Sequence, residues 1–225
     1  MVENVELVAK PLKTMFEMQE SLQNAIGAKR GTICPNTWQK KDVDDIYRVM
    51  AKESGYYMMS TITELFEMFE QIEKDNFQYT ELVKFELIDA WHFVMNQILY
   101  LNVKPSEDLA FYMGKARENI AQVDFVNHDL HHIVGQVVEA MGEIYQNTSY
   151  KMWKTYDKPK EDPAKLQELC DTFLIRFCTL FVVLGMDEQD VWNYYYAKNA
   201  ENFKRQENLI KKAQRYLLHL KWMKN

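Results

Sequence analysis

KFELIDAWHFVMNQILYL, from Lys84 to Leu101, is the stretch that decides the fold. Apolar residues occupy most of its positions with the periodicity of an α-helix. The polar exceptions recur three or four residues apart and therefore share one stripe of that helix: Glu86, Asp89, His92 and Asn96. Carboxylates on such a helix either face water or line a site that holds cations, because a buried charge is costly unless it is paired. The stretch predicts a helix and leaves both interpretations of its polar stripe open.

The composition predicts an all-α protein. The chain of 225 residues contains only seven Gly and five Pro, and 47% of its residues are hydrophobic. Local propensity therefore favours helix almost throughout, and a chain of this length can bury a substantial core. We predict one domain over residues 1–225, with lobes at 1–104 and 105–225 as the alternative organisation.

The net charge and the cysteine content indicate which classes of protein and which compartment to expect. A formal net charge of −6 argues against a general nucleic-acid binder, which needs clustered Lys and Arg. No apolar run is long enough to span a bilayer, so we expect no membrane partner. Three cysteines without CxxC spacing indicate reduced thiols. These features predict a cytoplasmic protein.

Apolar periodicity divides the chain into helices separated by polar segments or by Gly and Pro. The predicted helices cover residues 5–26, 43–52, 57–73, 84–101, 107–119, 126–150, 163–184 and 187 to the C-terminus. The second of these is expected to end at a break formed by Ser54 and Gly55.

The second half of the chain resembles the first. Glu168 and Asp171 open an apolar helix as Glu86 and Asp89 do, while Gly142 stands where the first half has a carboxylate. This similarity indicates an internal duplication whose second copy kept the architecture and lost the chemistry.

A second acidic pair precedes the quoted helix. Glu64 and Glu67 lie one turn apart, and residues 68–85 separate them from Glu86 and Asp89. Successive helices joined by a short turn run antiparallel, so the two pairs can face each other and hold two or more Mg²⁺ ions. The alternative is a solvated face, because the apolar stripe of the first helix points away from its two glutamates.

A third motif, YYAKNAENFKRQ, carries polar residues along one helical stripe: Tyr195, Lys198, Asn199, Asn202, Arg205 and Gln206. At about 1.5 Å of rise per residue the stripe spans roughly 16 Å, comparable with a nucleoside triphosphate. Lys198 and Arg205 offer charge to phosphate oxygens, and the asparagines add neutral donors. The alternative is an exposed surface helix.

The ordered set ELFE, KFELIDAWHFVMN and YYAKNAENFKRQ resembles the dimeric all-α dUTPase family and its phage dCTPase–dUTPase relatives, within the MazG-like nucleotide pyrophosphohydrolases. EMQESLQ near the start resembles the first helix of that family, which recognises the base. The resemblance implies an all-α NTP pyrophosphatase bundle, a homodimer, a Mg²⁺ cofactor, and hydrolysis of dUTP, with dCTP as an extension, to the monophosphate and pyrophosphate.

The resemblance also implies roles for individual residues. The implied metal ligands are Glu64, Glu67, Glu86 and Asp89. Glu67 would orient or deprotonate the metal-activated water that attacks the α-phosphorus. The implied substrate-binding residues are Gln19, Gln23, Asn96, Tyr195, Lys198, Asn199, Asn202, Arg205 and Gln206. Gln19 and Gln23 would read the base, and His92 is expected to be a buried histidine with satisfied hydrogen bonds.

Two other functions compete with this interpretation. A carboxylate-bridged di-iron bundle usually needs Glu-x-x-His on two helices, and the sequence contains no such motif. A non-catalytic helical interaction protein is favoured if departures from the family pattern mark a decayed site. Gln23, for example, stands where many dimeric dUTPases have Asn and resembles the phage dCTPase branch.

Overall fold

A computed structural model describes residues 3–30, 43–122, 130–147 and 163–222, and every regular element within these ranges is a helix. The helices are α1 (Pro11–Arg30), α2 (Val43–Lys74), α3 (Glu81–Tyr100), α4 (Leu109–Gln122), α5 (Leu130–Asn147), α6 (Pro163–Val183) and α7 (Glu188–Trp222). The all-α class predicted from composition is confirmed. The ends of the predicted helix 126–150 lie outside the described residues.

The break predicted at Ser54 and Gly55 is wrong, because α2 runs through both residues. Gly55 serves packing instead of ending the helix. A Cβ atom at Gly55 would lie 3.1 Å from a ring carbon of Tyr145 on α5. The missing side chain therefore lets α5 approach α2 closely.

The first helix begins later than predicted, at Pro11, a residue suited to the first turn of a helix because its ring fixes φ. The residues before it lie against α7 in non-helical conformation. The Val5 N–H donates to Asn193 Oδ1 at 2.9 Å, and Trp192 Nε1 donates to the Glu6 carbonyl at 3.0 Å. These contacts fix the entry of α1 beside α7.

A short turn joins α2 to α3 and makes them an antiparallel pair. Asn76 and Phe77 have φ values of 54° and 62°, and the Phe77 N–H donates to the Ile72 carbonyl at 2.8 Å, which ends α2. Thr80 then caps α3, since its side chain accepts from the Val83 N–H while its hydroxyl donates to Asp75. The acidic pairs of the two helices consequently lie side by side.

One contiguous apolar core includes buried side chains from all seven helices. Trp91 of α3 is fully buried and stacks on Phe177 of α6 at 5.3 Å between ring centroids. This anchoring turns the polar stripe of α3 toward α1, α2 and α7, which all contact it. The division into one domain or two lobes stays a prediction.

No single helix among those described is long and apolar enough to cross a membrane. Residues 164–183 and 188–206 meet that test only as a pair, and the pair is bent by 98°.

The acidic residues of the second half serve a different purpose from those of the first. Asp171 accepts hydrogen bonds from Ser106 Oγ at 2.7 Å and from the Tyr112 hydroxyl, and so ties the segment before α4 to α6. Glu168 is exposed and pairs with Lys165 at 3.0 Å. Within the described ranges no group of three or more potential metal ligands lies in this half, and the internal duplication stays a prediction.

Candidate functional site

Three of the four predicted metal ligands form a compact carboxylate cluster. Glu64 and Glu67 from α2 and Glu86 from α3 each place a carboxylate oxygen within 4.8 Å of the others. Glu64 and Glu86 are partly buried, whereas Glu67 is exposed. The two acidic pairs therefore face each other across the α2–α3 contact, and the apolar stripe of α2 does not prevent it.

The fourth predicted ligand, Asp89, turns toward α7. Its Oδ2 atom lies 2.6 Å from Lys198 Nζ, and the two side chains are only 21% and 12% exposed. The Lys198 amine also lies 3.9 Å from Glu201. Asp89 and Lys198 form a largely buried ion pair between the carboxylate cluster and α7.

Three carboxylates of this site have raised pKa values. Burial, followed by the nearby charges of Asp89, Glu67 and Glu86, raises the pKa of Glu64 to about 7. Burial also raises the pKa of Glu86 and, despite Lys198, that of Asp89. A hard divalent ion such as Mg²⁺ binds clustered carboxylate oxygens and stabilises their charged form, which burial and mutual repulsion disfavour in its absence. The residues fit the predicted metal.

A cavity of about 230 Å³ begins at this cluster and extends between α1, α3 and α7. Its walls contain most of the predicted site: Gln19, Gln23, Glu64, Asp89, Asn96, Lys198, Asn202, Arg205 and Gln206. His92 and Phe93 and the apolar side chains of Leu22 and Ile26 complete the lining. Glu64, Asp89 and Lys198 lie at one end of this space, and the amides of Gln19, Gln23 and Asn96 lie at the other.

A buried hydrogen-bond network supports the amide end. Gln19 Nε2 donates to Asn96 Oδ1 at 2.8 Å, and Gln19 Oε1 lies 2.7 Å from His92 Nδ1. Both ends of the Gln19 amide are thus engaged by neighbouring side chains. This arrangement makes Gln19 a residue that orients Asn96 and His92.

His92 differs from the satisfied histidine expected from the sequence. Burial, reinforced by Lys198, lowers the pKa of His92 to about 3, so the ring is neutral. The Gln19 oxygen can only accept, so the single ring proton is on Nδ1. His92 Nε2 is therefore a buried acceptor, and it has no partner among the residues that the structure describes.

Tyr195 and Asn199 lie behind the cavity wall. The Tyr195 hydroxyl donates to the Met15 carbonyl at 2.8 Å and accepts from Asn199 Nδ2 at 3.1 Å. The Tyr195 ring stacks on His92 with 4.7 Å between centroids. These two predicted substrate-binding residues join α1, α3 and α7 beneath the cavity.

Comparison with known proteins places the chain in a family. A family model described as dUTPase matches residues 11–209, which include every predicted site residue. The chain belongs to the dUTPase family. This match confirms the resemblance predicted from the three motifs.

One curated relative is also similar to part of this dUTPase-family chain. The dCTP pyrophosphatase of Enterobacteria phage LZ5 is 42% identical over 55 residues, which is 24% of this chain and 31% of the phage protein. The chain thus spans about a third of the length of that relative. No solved structure matches.

Within the dUTPase-family site, sequence reasoning missed two features. Phe93 follows His92 in the quoted stretch and lines the cavity, but its apolar character made it indistinguishable from core. The unpartnered Nε2 atom of His92 had a detectable signal, since the residue lies on the same helical stripe as Asp89 and Asn96. Arg205, by contrast, lines the cavity as predicted, with an exposed side chain whose Nη2 donates to Glu201 at 2.7 Å.

Proposed function

We propose that this protein is a Mg²⁺-dependent pyrophosphohydrolase that converts dUTP or dCTP to the nucleoside monophosphate and pyrophosphate. Membership of the dUTPase family and the similarity to a phage dCTP pyrophosphatase support this assignment. The observation that carries it is a single cavity with Glu64 and Asp89 at one end and a buried amide network at the other. Such a cavity offers a cation-dependent phosphate end and a base-reading end to one ligand.

At the phosphate end, Glu64, Glu67, Glu86 and Asp89 would hold the metal. When bound, Mg²⁺ neutralises phosphate oxygens and acidifies the attacking water. Lys198 supplies a further positive charge beside Asp89, where it can leave the aspartate to meet a phosphate oxygen. Arg205 and Asn202 extend this donor surface along α7 toward the leaving pyrophosphate.

Glu67 is the candidate for the proton transfer. It is the exposed member of the carboxylate cluster, so its carboxylate can accept a proton from water and return it to solvent. In the reaction the water oxygen forms a bond to the α-phosphorus as the bond from that phosphorus to the bridging oxygen breaks. The water proton passes to Glu67, and pyrophosphate leaves.

The base end suits a pyrimidine because it combines donors with one fixed acceptor. Asn96 uses its oxygen in the contact with Gln19, which leaves Nδ2 to donate, while His92 Nε2 can only accept. Uracil and cytosine each present acceptors beside a donor on the edge that pairs with another base. The apolar side chains of Leu22, Ile26 and Phe93 provide the surface against which a ring can pack.

A substrate panel tests the proposal. Purified protein is incubated with dUTP, dCTP, dATP, dGTP and dTTP, with Mg²⁺ or with EDTA, and the products are separated by ion-exchange chromatography. We expect monophosphate and pyrophosphate from a pyrimidine substrate only with Mg²⁺, with ¹⁸O from labelled water in the monophosphate. Release of inorganic phosphate, or no turnover of any dNTP, would contradict the proposal.

Glu67→Gln provides the matched catalytic variant. We expect turnover to fall by at least about a thousandfold while the circular dichroism spectrum stays unchanged, because the exposed carboxylate has no hydrogen-bond or ion-pair partner to lose among the described residues. Undiminished turnover would remove Glu67 from the mechanism.

The remaining expectations stay predictions. The homodimer is checked by light scattering coupled to size-exclusion chromatography, and the cytoplasmic location by fractionation. The glutamate cluster supports Mg²⁺ over the di-iron alternative, because its grouped ligands among the described residues include no histidine.

A further inference from the structure

Tyr57 of α2 lies at the base end of the cavity without lining it. The ring is 8% exposed and packs against Tyr100 and Phe93, with centroid distances of 5.2 Å and 6.1 Å. Its hydroxyl donates to Gln23 Oε1 at 3.0 Å. Gln23 lines the cavity and Tyr57 does not, so the Tyr57 hydroxyl acts on the cavity through the Gln23 amide.

The contact decides which end of the Gln23 amide is available to a ligand. With Oε1 engaged by Tyr57, the end left over is Nε2, which has no other partner among the described residues. The neighbouring Gln19 has both ends of its amide engaged. Rotating the Gln23 amide by half a turn would exchange this donor for an acceptor, and nothing in its own chemistry opposes the rotation.

We propose that Tyr57 is a positioning residue that fixes the Gln23 amide in the orientation that presents a hydrogen-bond donor to a pyrimidine base. The inference rests on the proposed function and deepens it. A donor at Gln23 beside the acceptor at His92 Nε2 complements uracil, through a carbonyl oxygen and N3–H, and cytosine, through N3 and the amino group. If Gln23 presented its oxygen instead, that acceptor would face another acceptor, a carbonyl oxygen of uracil or N3 of cytosine.

The environment of Tyr57 keeps its hydroxyl protonated. Burial, followed by the neighbouring Tyr100, raises the pKa of Tyr57 above its ordinary value, so the hydroxyl stays protonated throughout the physiological range. The stacked ring of Phe93 and the tilted ring of Tyr100 also hold the hydroxyl in place, so ordering it costs little when a ligand binds.

A double-mutant cycle tests the proposal. Steady-state kinetics with dUTP and dCTP at saturating Mg²⁺ are measured for the wild type, Tyr57→Phe, Gln23→Leu and the double variant. We expect Tyr57→Phe to raise KM roughly three- to tenfold, the value of one hydrogen bond, with kcat within about twofold. In the Gln23→Leu background the same change should have no further effect, because it removes only the hydroxyl, which reaches the cavity through that amide.

Two outcomes would overturn the inference. One is an unchanged KM in Tyr57→Phe, and the other is an equal effect in both backgrounds, which indicates a general structural role. Tyr56→Phe is the control, since Tyr56 is the adjacent tyrosine and is 62% exposed, and its KM should match the wild type.

A further variant keeps the test decisive if Tyr57→Phe fails to fold. Gln23→Glu retains an oxygen for the Tyr57 hydroxyl and removes the Nε2 donor, so it should raise KM as much as Gln23→Leu. Wild-type KM in Gln23→Glu would overturn the inference. A wild-type protein that hydrolyses no dNTP would instead refute the proposed function.

Discussion

Replacing Glu64 with Gln is expected to stabilise the metal-free protein above neutral pH. The pKa of Glu64 rises from 4.5 to about 7 in the folded protein, because burial and the neighbouring carboxylates disfavour its charge. At 1.36 kcal/mol per pH unit this corresponds to about 3 kcal/mol. The side chain is only partly buried, so screening by water reduces the expected effect to roughly 1–2 kcal/mol.

The sign follows from the two pKa values. Below the unfolded value of 4.5, Glu64 is protonated in both states and costs the fold nothing. Between pH 4.5 and about 7 the unfolded chain loses the Glu64 proton while the folded protein keeps it, so the free energy of unfolding falls. Above about pH 7 both states are deprotonated, and the stability supplied by that proton is lost. Gln mimics the protonated side chain, so the difference between the variant and the wild type should grow between pH 4.5 and 7 and then level off.

Urea unfolding in EDTA measures this difference. Free energies of unfolding are determined for the wild type and Glu64→Gln between pH 5 and pH 8, with Glu70→Gln as the control because Glu70 is an exposed residue of the same helix. Added Mg²⁺ should stabilise the wild type more than the variant. A Glu64→Gln variant less stable than the wild type at pH 8 would refute the electrostatic reasoning.

Two further variants test other parts of the structure. Lys198→Met should tighten Mn²⁺ binding in the absence of nucleotide, because Asp89 is freed from its 2.6 Å ion pair. The same change should lower turnover, because a contact with the substrate phosphates is lost. Weaker Mn²⁺ binding in calorimetry would contradict this. Asp171→Ala should lower the free energy of unfolding by about 1–3 kcal/mol, because it leaves Tyr112 and Ser106 without their acceptor. The affinity for Mg²⁺ should not change. An unchanged denaturation midpoint would contradict this prediction.

The helices and the acidic pairs were predictable because their signals are local. The periodicity of the stretch around Trp91 identifies a core helix, and the three-residue spacing of Glu64 and Glu67 places both on one side of α2. Gly55 shows where local signals fail. Its role depends on the approach of Tyr145 from another helix, so a glycine that predicts a break in the sequence becomes a packing contact in the fold.

The interior of the candidate site could not be predicted for the same reason. The pairing of Asp89 with Lys198 joins residues 109 positions apart, and no spacing rule indicates it. Likewise, the sequence offers Gln19 and Gln23 as equivalent amides. Only the meeting of α1 with α3 shows that the amide of Gln19 is used internally, and only the contact with α2 shows which end of the Gln23 amide is left for a ligand.

The geometry of α3 explains why one helix can serve both ends of the site. Glu86 and Asn96 are ten residues apart, which at about 1.5 Å per residue separates the metal end from the base end by roughly 15 Å along a rigid element. Trp91 anchors the middle of that element in the core, so α3 cannot slide to adjust the spacing. The ion pair of Asp89 and Lys198 joins α7 to α3. A metal at Asp89 and a phosphate at Lys198 would each compete with this ion pair. Adjustment to a ligand should therefore fall on α7, while α3 fixes the distance between base and phosphate.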